Sequence, residues 1–495
     1  MAVSIVQYFG KQNNKCGYCK ELNRGRSHGM HAFRLTCEDY QELIDRGWRR
    51  CGMYCYKPQN NETCCPCYTI KCDALEFRLS KSNKRVMRRM NRFLRDGKRE
   101  VNEQDNQMST SANGGGDGGA TGDNECEELI QLPNKAPVNI DVDQVAALAK
   151  AQQQHRRAEM IETLKKESSN TSGSAKISLS LSTAASNPPR KKAKQMRLER
   201  RQAKLGEAGT PKSENPKSKA LTQEKSLRDF LAEPSDNNKH KLKIVLVASS
   251  DTQRTCAEVV HALYCKYQLA IHNDKPARLT PASMQRFLVN SPLKNEKSQV
   301  GPPMGYGSFH QQYWLDDKLI AVGVIDILPC SISSVYFFYD PDYSFLSLGT
   351  YGSLREIDFV QTLAKQFPDL KYYYMGFYIH SCPKMRYKGK LSASYLLCPE
   401  TYEWFELTDE IRSKLDAHKY QRLNNDSTAR DANEFLQEHL KSVKLLIDAN
   451  HCTNYGHYVQ LTGTCPDADN IMEYSQLVGK ICALRMLYVN TMNTG

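Results

Sequence analysis

Cysteine is the residue type whose spacing points most directly to chemistry. Of 18 cysteines, nine fall at positions 16, 19, 37, 51, 55, 64, 65, 67 and 72. Cys16-Gly-Tyr-Cys19 is a C-x-x-C knuckle, in which the intervening turn points both sulfurs toward one ion. Gly17 relieves that tight turn. A second pair must come from elsewhere, and adjacent Cys64-Cys65 is the nearest candidate. Cys51, Cys55, Cys67 and Cys72 are alternative ligands, and His28 or His31 could add a nitrogen. Four thiolates suit both zinc and an iron–sulfur cluster. The plainer alternative is a set of buried reduced thiols. In a secreted chain this density would mean disulfides, whereas in an intracellular one it means metal or redox chemistry.

A second feature follows at residues 77–99, which are dense in Lys and Arg. On a helical wheel Lys81, Lys84, Arg85, Arg88, Arg92, Arg95 and Arg99 share one face. Val86, Met90, Phe93 and Leu94 share the other. One side docks on protein while the other offers cations at phosphate spacing, the footprint of sequence-independent nucleic-acid binding. A solvated charged face or a membrane-surface helix competes with that reading. Another basic run at 188–204 reads as a nuclear-localisation signal or a solvated helix.

These features must be positioned by a chain of 495 residues, enough for about three units or two plus a linker. The net charge of +13 favours an anionic partner, and most of the excess sits in the first 99 residues. Mean hydropathy is −0.62, too polar for an integral membrane protein. The best apolar run, 319–328, is short and holds Asp326. The start lacks a secretory hydrophobic core and the end lacks a prenylation signal. The expectation is a cytoplasmic protein, or one that also enters the nucleus, monomeric and without a membrane partner.

Three blocks are expected. Residues 1–99 form a small Cys-rich, metal-binding, basic N-terminal domain. Residues 100–220 are low in complexity and read as a mostly disordered linker, with helical stretches at 142–166 and 190–204. Residues 221–495 carry a substantial core in a mixed α/β pattern. Strands are expected at 241–248, 333–339 and 370–379, and a hairpin at 314–326 turning on Asp316-Asp317. Helices are expected at 256–271, 351–366 and 428–448.

Particular stretches then stand out. CGYC at 16–19, SHGM at 27–30, RGWRR at 46–50, YCYKP at 54–58 and TCCPCYTI at 63–70 resemble the N-terminal domain of the arginyl-tRNA–protein transferase family. YQLAIH at 267–272, FLVNSPL at 287–293, GSFHQQYWLDDKLIAVGVIDILP at 307–329, SSVYFFYDPD at 333–342, SLGTYGSLREI at 347–357 and YYYMGFYIHSCPKMRYKGK at 372–390 resemble its C-terminal domain. The resemblance implies a GNAT-like acyltransferase fold for the C-terminal block. It implies transfer of arginine from Arg-tRNA to proteins with N-terminal Asp, Glu or oxidised Cys, marking them for ubiquitin-dependent degradation as N-degrons. It also implies that Cys16, Cys19, Cys64 and Cys65 hold an iron–sulfur cluster or zinc.

The chemistry sets further expectations. The donor is an activated ester and the acceptor an α-amine with a pKa near 7.7–8.0, so positioning, a modest base and oxyanion stabilisation suffice. Asp326, Asp340, Asp342, Glu356 and Asp358 are the candidates for a pocket that holds the donor guanidinium. Each is otherwise a turn or capping carboxylate. Lys384, Arg386 and Lys388, with Arg355 as an alternative, are the candidates for the acidic-acceptor pocket. Tyr339, Tyr351 and His310 are candidate proton relays or oxyanion donors. GNAT enzymes that use coenzyme A carry R/Q-x-x-G-x-G/A before a helix, and Gly349-Thr-Tyr-Gly352 does not meet that pattern, so no acetyl-CoA is expected. The rival readings are a non-catalytic, metal-dependent RNA-binding module and an acetyl-CoA acetyltransferase.

Overall fold

The computed structural model describes residues 3–99, 136–152, 154, 225–232 and 237–490. Five strands come from the first block: β1 (Ile5–Asn14), β2 (Gly25–Arg34), β3 (Arg49–Cys51), β4 (Tyr54–Pro58) and β5 (Tyr68–Asp73). Ten come from the last: β6 (Leu242–Ala248), β7 (Gly307–Leu315), β8 (Lys318–Ile327), β9 (Ser331–Tyr339), β10 (Tyr372–Tyr378), β11 (Ser394–Leu397), β12 (Trp404–Glu406), β13 (Lys444–Asp448), β14 (His451–Asn454) and β15 (Leu487–Val489). They form two sheets. The order of one is β14-β13-β15-β1-β2-β4-β3, and of the other β12-β11-β5-β10-β9-β8-β7-β6.

The first block is therefore not a separate small domain. β1 pairs in parallel with β15, and β5 lies between β10 and β11. Residues 1–154 and 225–495 make one compact unit. Arg50 on β3 ties the blocks together by donating to the Asp326 carboxylate on β8 at 2.6 and 2.8 Å, with both groups buried. Removing one partner of such a pair strands a charge in the core and costs about 3–5 kcal/mol.

Within the last block the expected hairpin forms between β7 and β8. Asp316 and Asp317 take φ of 48° and 68°, the left-handed pair that suits a two-residue hairpin turn. β9 and β10 are parallel only over Tyr372–Tyr374, at the start of both strands. Their pairing ends at Tyr374 and Ser333. The helix Leu348–Ala364 connects the two strands and packs on both. A Cβ on Gly352 would stand 2.4 Å from the Phe337 ring, so this glycine lets helix and sheet approach closely.

The expected strands and helices at 241–379 form with small boundary shifts, and 256–271 becomes an α-helix, Glu258–Tyr267, run on by a π-turn, Gln268–His272. The expected helix at 428–448 does not form. Gln437–Ser442 is a short 3₁₀ turn and Lys444–Asp448 is β13, because pairing with β14 and β15 overrides the helical spacing. Residues 142–152 are helical, and Val145 is buried against β1, β13 and β15 residues. Residues 100–135, 153 and 155–220 of the expected linker, including the helical stretch 190–204 and the basic run 188–204, lie outside the described residues. Among the described residues no helix is long and apolar enough to cross a membrane.

Candidate functional site

The cysteine centre is built by two connections. The β1–β2 loop carries Cys16 and Cys19, and the β4–β5 connection carries Cys64 and Cys65. The first loop closes on itself through Cys16 N–H to Glu21 O at 2.9 Å and Lys20 N–H to Cys16 O at 3.0 Å. Lys20 and Asn23 turn it with positive φ. Cys64 N–H then reaches Arg24 O at 3.2 Å, clipping the second loop to the first. Asn60 grips the Cys67 N–H at 2.8 Å and its carbonyl at 3.1 Å, which shapes the turn beneath Cys64 and Cys65.

All four sulfurs lie within 4.8 Å of one another, and Cys19 Sγ is 3.3 Å from Cys64 Sγ. A tetrahedral ion with Zn–S bonds of about 2.3 Å needs sulfurs roughly 3.8 Å apart, so the donor set fits a metal. A four-thiolate set also suits an iron–sulfur cluster. Hydrogen bonding from Cys65, against the effect of burial, brings the Cys16 thiol down to about 4. Burial and the hydrogen bonds to Cys19 and Cys16 push Cys64 up to about 12. One thiolate forms readily, and a bound cation would displace the remaining protons.

The alternative ligands go elsewhere. Cys55 and Cys72 are buried within β4 and β5, and Cys67 donates to the Cys65 carbonyl at 3.2 Å. His28 pairs with the Tyr8 hydroxyl at 2.7 Å, and His31 packs on Phe33. Among the described residues no cysteine forms a disulfide.

The basic helix is Lys81–Asp96. Ser80 caps its start by accepting from Asn83 N–H, and Gly97, with φ of 66°, ends it. Val86, Met87, Met90, Phe93 and Leu94 are buried, as the wheel requires. Lys81, Arg85, Arg88, Arg92 and Arg95 are exposed, and Arg99 continues that line beyond the helix, while Lys84 is half-buried. Arg89, on the flank, donates to Ser347 Oγ at 3.0 Å, where the helix Leu348–Ala364 begins.

The expected donor-pocket carboxylates do not gather into one pocket, and only Asp340 and Asp342 meet, on Lys266. Asp326 is fully buried and filled by the chain's own Arg50. Asp340 accepts from Lys266 at 2.5 Å and Lys318 at 2.8 Å, and Asp342 accepts from Lys266 at 2.6 Å. Glu356 accepts from the Tyr373 hydroxyl at 2.7 Å inside the core. Asp358 lies 3.5 Å from Arg228. Strand pleat and helix phase send these side chains to different faces.

The acceptor candidates divide too. Arg386 turns back to donate to the His380 carbonyl at 2.8 Å, Lys388 is buried, and Arg355 donates to the Tyr351 hydroxyl at 2.8 Å. Lys384 is near enough to Lys20, the residue after Cys19, for its charge to act on it. The Lys20 ammonium is pushed down by burial and by the charges of Lys15 and Lys384, with Cys16 and Cys382 acting the other way.

Sequence reasoning missed His272. Burial, then Lys384 and Lys20, hold its imidazole down to about 4, so it is neutral near pH 7. Its ring packs edge-on to Tyr267 at 5.1 Å, and Tyr267 packs on Tyr339 at 5.0 Å. Tyr339, at the end of β9, is thus the one relay candidate in this cluster. Tyr351 sits under its helix, and His310 is buried with Nε2 3.1 Å from the Leu288 carbonyl. The π-turn that ends on His272 is a rare local form, frequent at functional sites, and it has no simple sequence signature. A second missed group is Tyr378–His380–Asp416, linked at 2.6 and 2.7 Å beyond the end of β10.

With this geometry established, comparisons with known proteins define the class. Residues 14–85 match the family model "Arginine-tRNA-protein transferase, N terminus", and residues 259–398 match "Arginine-tRNA-protein transferase, C terminus". A Drosophila melanogaster protein named arginyl-tRNA–protein transferase 1 is 61% identical over 99% of this chain and 100% of its own length. The chain belongs to the arginine-tRNA-protein transferase family of aminoacyltransferases. An Arabidopsis thaliana protein of the same name is 35% identical over 84% of this chain and 75% of its own. A Campylobacter jejuni protein named aspartate/glutamate leucyltransferase is 37% identical over 21% of this chain and 40% of its own.

Proposed function

We propose that this chain transfers arginine from Arg-tRNA to the α-amine of proteins that begin with Asp, Glu or oxidised Cys, and so marks them for ubiquitin-dependent degradation. The carrying observation is full-length similarity to a Drosophila protein named as an arginyl-tRNA–protein transferase. The exposed cationic row from Lys81 to Arg99 supports the tRNA part, because it lines one helix at phosphate-like intervals. β9, the helix Leu348–Ala364 and β10 form a parallel strand–helix–strand unit, which supports a GNAT-like reading in which aminoacyl-tRNA takes the place of coenzyme A. The name of the Campylobacter relative supports an acidic acceptor.

The residues suit the chemistry. His272, neutral near pH 7 and with its Nε2 lacking a hydrogen-bond partner, can accept a hydrogen bond from the attacking α-amine and orient it. Lys20 and Lys384 supply positive charge for an acidic acceptor side chain. As attack proceeds, the ester carbonyl becomes an oxyanion and the tRNA hydroxyl leaves with the proton. Cys16, Cys19, Cys64 and Cys65 would hold the metal, which when bound cross-links the two loops next to these cations.

The test is transfer of labelled arginine from Arg-tRNA to matched peptides starting with Asp or Asn, using anaerobically purified protein. Labelling of the Asp peptide alone is expected, with none from Leu-tRNA. No labelling of either peptide, with tRNA still bound, would favour the RNA-binding module.

A further inference from the structure

Arg46 and Lys57 form a second cluster of buried cations. A cavity of about 230 Å³ lies by β4, the start of β5 and the segment after β11. Arg46, Gly47, Lys57, Thr69, Tyr402 and His28 are among the residues that line it. The Arg46 fork is satisfied: it donates to Asp431 at 3.0 and 2.7 Å and lies 4.0 Å from the Tyr402 ring centre.

Lys57 is held differently. Its Nζ donates to the Arg46 carbonyl and to the Tyr402 hydroxyl, the latter at 3.1 Å. Among the described residues no carboxylate is paired with it, and Asp431, whose charge reaches it, is engaged by Arg46. His28 is neutral or cationic and so offers Lys57 no negative counter-charge, and its ring is paired with the Tyr8 hydroxyl. Thr69 is 2% exposed and its Oγ1 has no hydrogen-bond partner.

Gly47 shows that these groups converge. A Cβ built there would lie 3.7 Å from Thr69 Oγ1 and 3.8 Å from Lys57 Nζ. The backbone at Gly47 has φ of +83°, so a side chain is excluded by conformation as well. A buried ammonium without a carboxylate and a buried hydroxyl without a partner are both costly, and one anion would relieve both.

We propose that this cavity binds a small oxyanion, a carboxylate or phosphate group, held by Lys57 Nζ and Thr69 Oγ1. The group can belong to an acidic side chain of an acceptor protein or to a free small anion. The site rests on these contacts and not on the transfer reaction. Asn60 and Cys67 also line the cavity, so a bound anion presses on the loop that carries Cys64 and Cys65.

The test is titration of the full-length protein with inorganic phosphate and, separately, acetate at constant ionic strength, followed by calorimetry and thermal unfolding. Saturable binding that raises the unfolding temperature is expected, with the two anions competing. Lys57→Met should weaken binding by about tenfold or more. Thr69→Val keeps the side-chain shape, so it remains informative if Lys57→Met does not fold, and it should weaken binding several-fold. Arg88→Glu with Arg92→Glu should leave this binding unchanged. No saturable binding, or wild-type affinity in folded Lys57→Met and Thr69→Val, would overturn the site. If a peptide starting with Asp displaces phosphate and its Asn twin does not, the anion is the acceptor's; failure of both to displace Lys57-dependent phosphate makes it a free anion.

Discussion

Four cysteines and five carboxylates were equally plain in the sequence, yet they behave oppositely in the fold. Cys16, Cys19, Cys64 and Cys65 come together from two loops, with all sulfurs within 4.8 Å. Asp326, Glu356 and Asp358 go to separate partners, and only Asp340 and Asp342 share one, Lys266. The difference is one of scale. A C-x-x-C turn aims its two sulfurs within four residues, so half of the centre is local. A pocket of carboxylates drawn from strand ends and a helix depends on pleat, phase and register across hundreds of residues.

The sharpest break of that comparison is at the cysteines. Cys64→Ser with Cys65→Ser should abolish metal content and lower transfer on the order of 100-fold or more, read by metal analysis and labelled arginine. Cys55→Ser or Cys72→Ser should leave metal content intact. Equal metal loss in those variants would mean that convergence of the four does not define the site.

Next comes the carboxylate side. Asp326→Asn should cost about 3–5 kcal/mol in urea unfolding, because Arg50 is left buried and unpaired. A donor-pocket role would instead raise the KM for Arg-tRNA at unchanged stability.

The cationic helix supplies a smaller effect. Arg88→Glu with Arg92→Glu should weaken tRNA binding by roughly tenfold at low salt and reduce the salt slope by about two. Identical salt curves for variant and parent would remove this helix from the interface.

The smallest effect is in pH dependence. Burial holds His310 down to about 4, against 6.5 for the free ring. The unfolded chain therefore binds a proton that the folded chain refuses between those values. Stability should be full above about pH 6.5 and fall as pH drops toward 4, by up to about 1.4 kcal/mol per pH unit from this group. His310→Gln should flatten the slope by about one proton in urea unfolding at pH 7 and pH 5. An unchanged slope would show that the ring titrates alike in the folded and unfolded chain.

Local order was legible wherever neighbours in sequence decide it. The knuckle at 16–19, the stripe of Val86, Met90, Phe93 and Leu94, the hairpin on Asp316-Asp317 and the apolar runs of β8 to β10 all follow from turn chemistry and periodicity. The four metal-site residues were also readable, since Cys density and the family resemblance converge on them. Helical spacing at 428–448 misled because strand pairing with β14 and β15 outweighs a propensity of a few tenths of a kcal/mol per residue.

What the sequence determined by itself, then, is the family, the four-sulfur donor set and the cationic face of one helix. Only the tertiary structure decided that the first block supplies β1–β4 to one sheet and β5 to the other. Only it brought Lys384 and His272 toward Lys20, which follows the Cys16–Cys19 knuckle, and left Lys57 buried beside an unpaired Thr69 hydroxyl. The reason is physical: turns and amphipathic faces are set by adjacent residues, whereas the partner of a buried charge is set by which strands share a sheet.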